Sequence, residues 1–198
     1  MHKPGFSTPD NLKHLSVSQS GRHWLATLPG LISSAISHWA LEDVGVPYAG
    51  SSVSYTVPAV CRVSGQRTDV VLKIQFPHEE CRQEADALRQ WNGNGAVRLI
   101  DHEPGNHMLL LERCRPGELL ADVKNADPIS VLSDLLPRLW QPTSFPFKTL
   151  TDEALEWETH LTKASAFPDD AREERLLRLA LDQLAHLTET SPEEEVLL

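Results

Sequence analysis

No run of apolar residues in this chain approaches the roughly 20 that a bilayer-spanning helix needs. The N-terminal Met1-His-Lys-Pro-Gly-Phe-Ser lacks the apolar core of a secretory signal, so a cytoplasmic protein with no membrane partner is expected. Cysteine is scarce: Cys61, Cys81 and Cys114 form no CxxC pair and have no histidine at zinc-binding spacing. Free, buried thiols in a reducing compartment are expected, with no metal site. Basic charge is in deficit, since 18 Lys plus Arg against 28 Asp plus Glu leave a net charge of -10. Nucleic acid is thereby disfavoured as a partner, because binding it rests on neutralising phosphates. Charge alone favours a solvated acidic surface serving solubility over one that attracts a polycationic ligand. Gly-rich phosphate loops are missing as well: neither GxGxxG nor GxxxxGK[ST] occurs, which argues against a P-loop enzyme.

What is present has ordinary globular composition, 40% hydrophobic and 23% charged over 198 residues, enough for one large domain or two small lobes. Residues 1–29 are polar and broken by Pro4, Pro9 and Pro29, and read as a lead-in arm. Leu31, Ile32, Ala35, Ile36 and Trp39 share one helical face, predicting a helix from Pro29 to Asp43. Val53, Tyr55 and Val57 alternate with Ser52, Ser54 and Thr56, the pattern of a half-buried strand. Pro58 interrupts it before Val60–Val63, so a bulge or an edge position is implied. Asp69–Phe76 is almost continuously apolar, as a central strand covered on both faces would be. Glu79–Asn92 has helix formers with Ala85, Leu88 and Trp91 on one stripe, and Gly93 supplies the stop. Ala96–Asp101 and His107–Arg113 read as strands joined by a tight Glu-Pro-Gly-Asn turn.

Near Cys114 the character changes from strands to helices, which sets an expected boundary between a mixed lobe over 30–113 and a helical lobe over 114–198. Helices are predicted from Asp127-Pro128 to Leu139, from Thr151 to about Lys163, and from Pro168-Asp-Asp through Glu189. The last carries an apolar stripe of Leu176, Leu177, Ala180, Leu181, Leu184 and Leu187, of which Leu176, Leu177, Leu181 and Leu184 would stay partly uncovered and favour self-association. Val196-Leu-Leu resembles the start of a strand.

Three stretches can carry chemistry. Lys73 lies within the apolar strand, so its ammonium must snorkel to an edge or meet an anion. Glu84, eleven residues on, sits on a helix that must pack over the sheet, which makes a strand-lysine to helix-glutamate pair sterically natural. Gly50-Ser51-Ser52 is a small-residue turn whose backbone N–H groups and hydroxyls can approach a phosphate, or an ordinary loop. Glu112, Arg113 and Cys114 lead into Arg115-Pro-Gly and form either a hinge whose backbone meets an adenine edge or a plain linker.

Val71-Leu-Lys-Ile, Glu84-Ala-Asp-Ala-Leu-Arg-Gln-Trp, Gly95-Ala-Val-Arg-Leu-Ile-Asp-His and Leu109-Leu-Leu-Glu-Arg-Cys-Arg-Pro-Gly-Glu-Leu-Leu together resemble the streptomycin and hydroxyurea phosphotransferase family of aminoglycoside kinases. The resemblance covers roughly Leu31 to Leu198 in the family's own order. It implies an α+β, protein-kinase-like fold: an antiparallel-sheet N-lobe with one packed αC-type helix, then the first helices of an incomplete helical C-lobe. It further implies ATP with Mg2+ as cofactors and transfer of the γ-phosphate to a hydroxyl of a small molecule, such as a cationic aminoglycoside. Carried over residue by residue, Lys73 resembles the phosphate-binding lysine, Glu84 its helix partner, and Glu112–Cys114 the hinge. The family's catalytic His-Gly-Asp occurs nowhere in this chain, and the pattern would place it just beyond Leu198. The expectation is therefore a chain without its catalytic Asp or metal ligands, inactive alone; the alternative is a non-catalytic or vestigial fragment that at most binds nucleotide. Asp152, Glu153, Glu156 and Glu158 could face a cationic substrate or simply solvate a helix.

Overall fold

One strand, β2 (Gln66–Gln75), organises the first part of the molecule. The computed structural model describes residues 8–78, 80–142, 146–148, 150–165, 170–190 and 196–197, and divides into two compact units, Met1–Arg138 and Leu139–Leu198.

In the first unit β2 pairs antiparallel on one side with β1 (Ser54–Val63) and on the other with β4 (Met108–Glu112), which in turn pairs with β3 (Leu99–Glu103). Alternation along β2 sends Val70, Leu72 and Ile74 to one face and Val71, Lys73 and Gln75 to the other. The first face meets Tyr55, Val57, Ala59 and Cys61 of β1, Met108 and Leu110 of β4, and the helix α1 (Gln19–His38), forming the main core. The second is covered where Val71, Leu109 and Leu111 pack against Ala85 and Leu88 of α2 (Glu84–Trp91). Burying both faces is why the sequence of β2 reads as nearly continuous apolar residues.

Pro58 sits on an edge strand with its register unbroken, opposite Val71. The backbone groups of its even-numbered neighbours point outward: Thr56 O accepts from Tyr48 N at 2.8 Å, Pro58 O from Gly45 N at 2.8 Å, and Val60 exchanges two bonds with Glu42 at 2.7 and 2.9 Å. The N–H that proline lacks would face away from β2, so the ladder loses nothing.

Helix α1 begins ten residues before the Pro29 start that the apolar periodicity suggested, and Pro29 lies inside it. Ser18 caps the helix by accepting from Gly21 N at 2.9 Å. Residues 10–28 supply core through the 3-10 helix Asp10–Val17 and the first half of α1, with Leu12 and Leu28 fully buried and Trp24 nearly so. Where the two helices meet, a Cβ on Gly21 would lie 1.9 Å from Leu15 O, so only glycine fits. Trp24 stacks edge-on against Phe76, centroids 5.8 Å apart, and Trp39 Nε1 donates to Asp101 on β3 at 2.8 Å.

Helix α2, by contrast, is shorter than expected from sequence. A 3-10 turn, Glu80–Arg82, precedes it, and Asn92 closes it in the left-handed conformation. The turn between β3 and β4 is a 3-10 element, Pro104–Asn106, capped by the Glu103 carboxylate, which accepts from Gly105 N and Asn106 N at 2.9 Å each. Helix α3 (Pro128–Leu139) starts at Asp127, whose carboxylate accepts from Ile129 N at 3.1 Å and Ser130 Oγ at 2.7 Å. These bonds hold the Asp127 carboxyl below its ordinary range.

The second unit contains α4 (Leu150–Ser165) and α5 (Ala171–Thr190), packed on each other, and a two-stranded pairing of β5 (Gln141–Pro142) with β6 (Val196–Leu197). Asp170 caps α5, accepting from Arg172 N and Glu173 N at 2.8 Å each. Leu177, Ala180, Leu181 and Leu184 are half-buried at helical spacing, whereas Leu176 and Leu179 are 55% and 53% exposed. The side chain of Leu187, assigned to this stripe from sequence, lies outside the described residues. Helices and antiparallel sheet are thus mixed, an α+β arrangement.

Candidate nucleotide site

Lys73 and Glu84 meet directly. Lys73 Nζ donates to Glu84 Oε1 at 2.6 Å and to Oε2 at 2.8 Å, with both side chains about a quarter exposed. Alternation puts Lys73 on the α2 face of β2, and packing of Ala85 and Leu88 against Val71, Leu109 and Leu111 brings the first residue of α2 over it. Burial of an apolar stripe therefore aims the pair. A third residue, which sequence reasoning missed, completes the group: Gln75 Nε2 donates to Glu84 Oε2 at 2.6 Å. Its only signal in the sequence is its spacing two residues from Lys73, which puts both on one strand face.

Gly50, Ser51 and Ser52 precede β1. Ser51 Oγ lies 2.6 Å from Ser54 Oγ, and Ser54 Oγ lies 3.1 Å from Thr56 Oγ1. Asn11 Nδ2 also donates to Ser51 O. Register places Ser54 opposite Gln75 and Thr56 opposite Lys73, so this row of hydroxyls lies on the same sheet face as the ion pair. Gly50 and Ser52 are exposed, and a Cβ at Gly50 would meet open space. The small-residue turn is open on its outer side.

Glu112 ends β4 opposite Val70, three residues and so about 10 Å along β2 from Lys73. Its backbone N–H donates to Arg98 O at 3.0 Å, and its side-chain Oε1 accepts from Arg98 N at 2.7 Å, so both groups already serve the sheet. Arg113 is half-buried and Cys114 exposed. Beyond them Gly117 takes a left-handed φ of 73°, and a Cβ there would lie 2.9 Å from Cys114 O. Arg115 pairs with Asp69 and holds that exposed carboxyl below its usual range.

The structure thus brings Lys73 and Glu84 together, lays the Ser51 hydroxyl chain beside them, and sets Glu112–Cys114 at the other end of the same strand pair. Among the described residues no group of three His, Cys, Asp or Glu side chains is placed to hold a metal ion. No helix among them is long and apolar enough to cross a membrane. Of the acidic residues on α4, Glu156 and Glu153 engage Lys148 at 2.8 and 3.6 Å.

A strand lysine held by a helix glutamate beneath a sheet is the arrangement with which protein kinases address nucleotide phosphates. The comparisons agree with that class. Residues 38–198 match the model of the aminoglycoside/hydroxyurea antibiotic resistance kinase family, and the chain belongs to that family. It is 37% identical over 161 residues to a streptomycin 6-kinase of Streptomyces glaucescens, covering 80% of this chain and 51% of that protein. It is 39% identical over 125 residues to a streptomycin 6-kinase of Streptomyces griseus, covering 63% and 39% respectively. A hydroxyurea phosphotransferase of Kitasatospora aureofaciens is 32% identical over 178 residues, covering 88% and 50%. The chain spans about half the length of the curated relatives it matches.

Proposed function

We propose that this chain holds the nucleotide in an ATP-dependent kinase of small molecules, with a protein-kinase-like fold in which residues 30–113 form the nucleotide-binding lobe and 114–198 begin a helical lobe. The observation that carries this reading is the Lys73–Glu84 pair at 2.6 Å on β2, beside apolar residues of the same strand that are buried on both faces. Lys73 directs its ammonium at the phosphates and Glu84 orients it, so charge is neutralised by groups already in place. The Gly50–Ser52 turn supplies small side chains and hydroxyls near the phosphates, and the backbone of Arg113 and Cys114 meets the adenine edge. The spacing of about 10 Å along β2 between the Glu112 level and Lys73 suits a nucleotide lying along the strand.

The acceptor is a small hydroxylated compound of the streptomycin or hydroxyurea type, as the relatives' names suggest. No His-Gly-Asp occurs in these 198 residues, so the base that orients the acceptor is not among them. ATP supplies the transferred phosphoryl group, and Mg2+ would supply positive charge to its phosphates. This chain alone therefore binds nucleotide without turnover.

Calorimetry with Mg·ATP tests the reading. The expected result is binding that Lys73→Ala abolishes; equal affinity in both forms would refute it. A steady-state assay with ATP, Mg2+ and streptomycin should show no multiple turnovers, and turnover would overturn the reading of nucleotide binding without catalysis.

A further inference from the structure

We infer that Gln75 is a positioning residue, holding the Glu84 carboxylate in place so that Lys73 is free to turn toward a phosphate; the inference rests on the nucleotide reading above. Gln75 is only 2% exposed, its backbone N–H is fixed to His107 O at 3.0 Å, and its side chain reaches Glu84 Oε2 at 2.6 Å. A carboxylate only accepts hydrogen bonds, so the amide nitrogen must face it. Glu84 thereby has two donors on one oxygen and one on the other, and only Gln75 among them is neutral.

Neutrality is what matters. A lysine shared between a glutamate and a phosphate divides its hydrogen bonds once nucleotide enters, and a glutamate held by lysine alone would then lose its orientation. Gln75 neither competes for the phosphate nor adds charge, and it keeps its bond to Glu84 while Lys73 redirects. Because Glu84 opens α2, the same bond ties the start of that helix to β2 independently of the lysine.

Mg·ATP titrations of wild type, Gln75→Leu, Glu84→Ala and the double variant test this. Losing one hydrogen bond to a charged group is expected to weaken binding about tenfold in Gln75→Leu. In the Glu84→Ala background Gln75→Leu should weaken binding no further, since the amide then has nothing to position. A Gln75→Leu affinity within about twofold of wild type, or a full additional loss on top of Glu84→Ala, would overturn the role. Failure of wild type to bind Mg·ATP would overturn the nucleotide reading instead. The positioning contact is then still read by NMR of the Gln75 side-chain amide, in wild type and Glu84→Ala, a comparison that needs no Gln75 variant to fold. Amide-proton exchange at least about tenfold faster in Glu84→Ala supports it, and unchanged exchange refutes it.

Discussion

Removing Glu84 should cost the fold more than removing Lys73, although the two form one ion pair. Glu84→Ala strands the Gln75 amide at 2% exposure with a donor unpaired, which costs about 1–3 kcal/mol. The Lys73 ammonium loses its partner as well, but at 25% side-chain exposure it keeps some water, so after screening it adds roughly 1 kcal/mol. The sum is about 2–4 kcal/mol. Lys73→Met leaves a carboxylate at 28% exposure that still accepts from Gln75 and from solvent, with the methionine filling the lysine stem's place, for about 1 kcal/mol. Native-state hydrogen exchange of the amides of β2 and β4 reports on this unit alone, and each 1.4 kcal/mol changes the opening constant tenfold. Glu84→Ala, about 1–3 kcal/mol worse, should therefore exchange about fivefold to a hundredfold faster than Lys73→Met. A Lys73→Met variant that exchanges as fast as Glu84→Ala would show that the lysine, and not the buried amide, dominates the energetics.

The junction of the first two helices offers a second test: Gly21→Ala forces a Cβ against Leu15 O and should lower stability by about 1–3 kcal/mol in urea unfolding, with an unchanged midpoint refuting the packing described. Because the folded-state pKa of Asp127 is depressed below its ordinary 3.8, the support it gives α3 is fully present above that value and lost as pH falls through the lower folded value. NMR shifts of α3 should follow that course, and Asp127→Asn should remove it; identical acid titrations in both forms would sink the assignment. Leu176 and Leu179, each just over half exposed, should drive concentration-dependent association in light scattering, relieved by Leu176→Glu with Leu179→Glu. A monomeric wild type at all concentrations would contradict this.

The strands and the ion pair were legible because each follows from a local rule. The apolar run of Asp69–Phe76 and the stripe of Ala85 and Leu88 fix which faces are buried, and Lys73 with Glu84 follows, whereas the alternation over Val53–Val57 marks the strand but not its faces, since Val53 is exposed and Ser54 buried. The start of α1 was not legible, because Pro29 looks like a first helical residue while the signals for the true start, the Ser18 cap and the stripe through Trp24, Leu28 and Ala35, lie upstream of it. Tertiary burial of Trp24 and Leu28 offsets the donor that proline removes from the helix interior. Gln75 escaped notice for a different reason: nothing marks a strand glutamine as functional until the cross-strand and helix contacts are known. Likewise Glu112 spends its backbone N–H and its carboxylate on Arg98, a use that no spacing in the sequence reveals.

The segment running beside β1 has a consequence for the molecule's behaviour in company. Glu42, Gly45 and Tyr48 occupy the outward backbone groups of Thr56, Pro58 and Val60, and proline removes a further donor from that rim. At the opposite side β3 is short and carries Asp101, His102 and Glu103. Neither margin offers a long, flat row of free amides and carbonyls onto which another chain's strand could be templated. Crowded copies of this protein are thus steered away from strand-to-strand growth along the margins of this sheet.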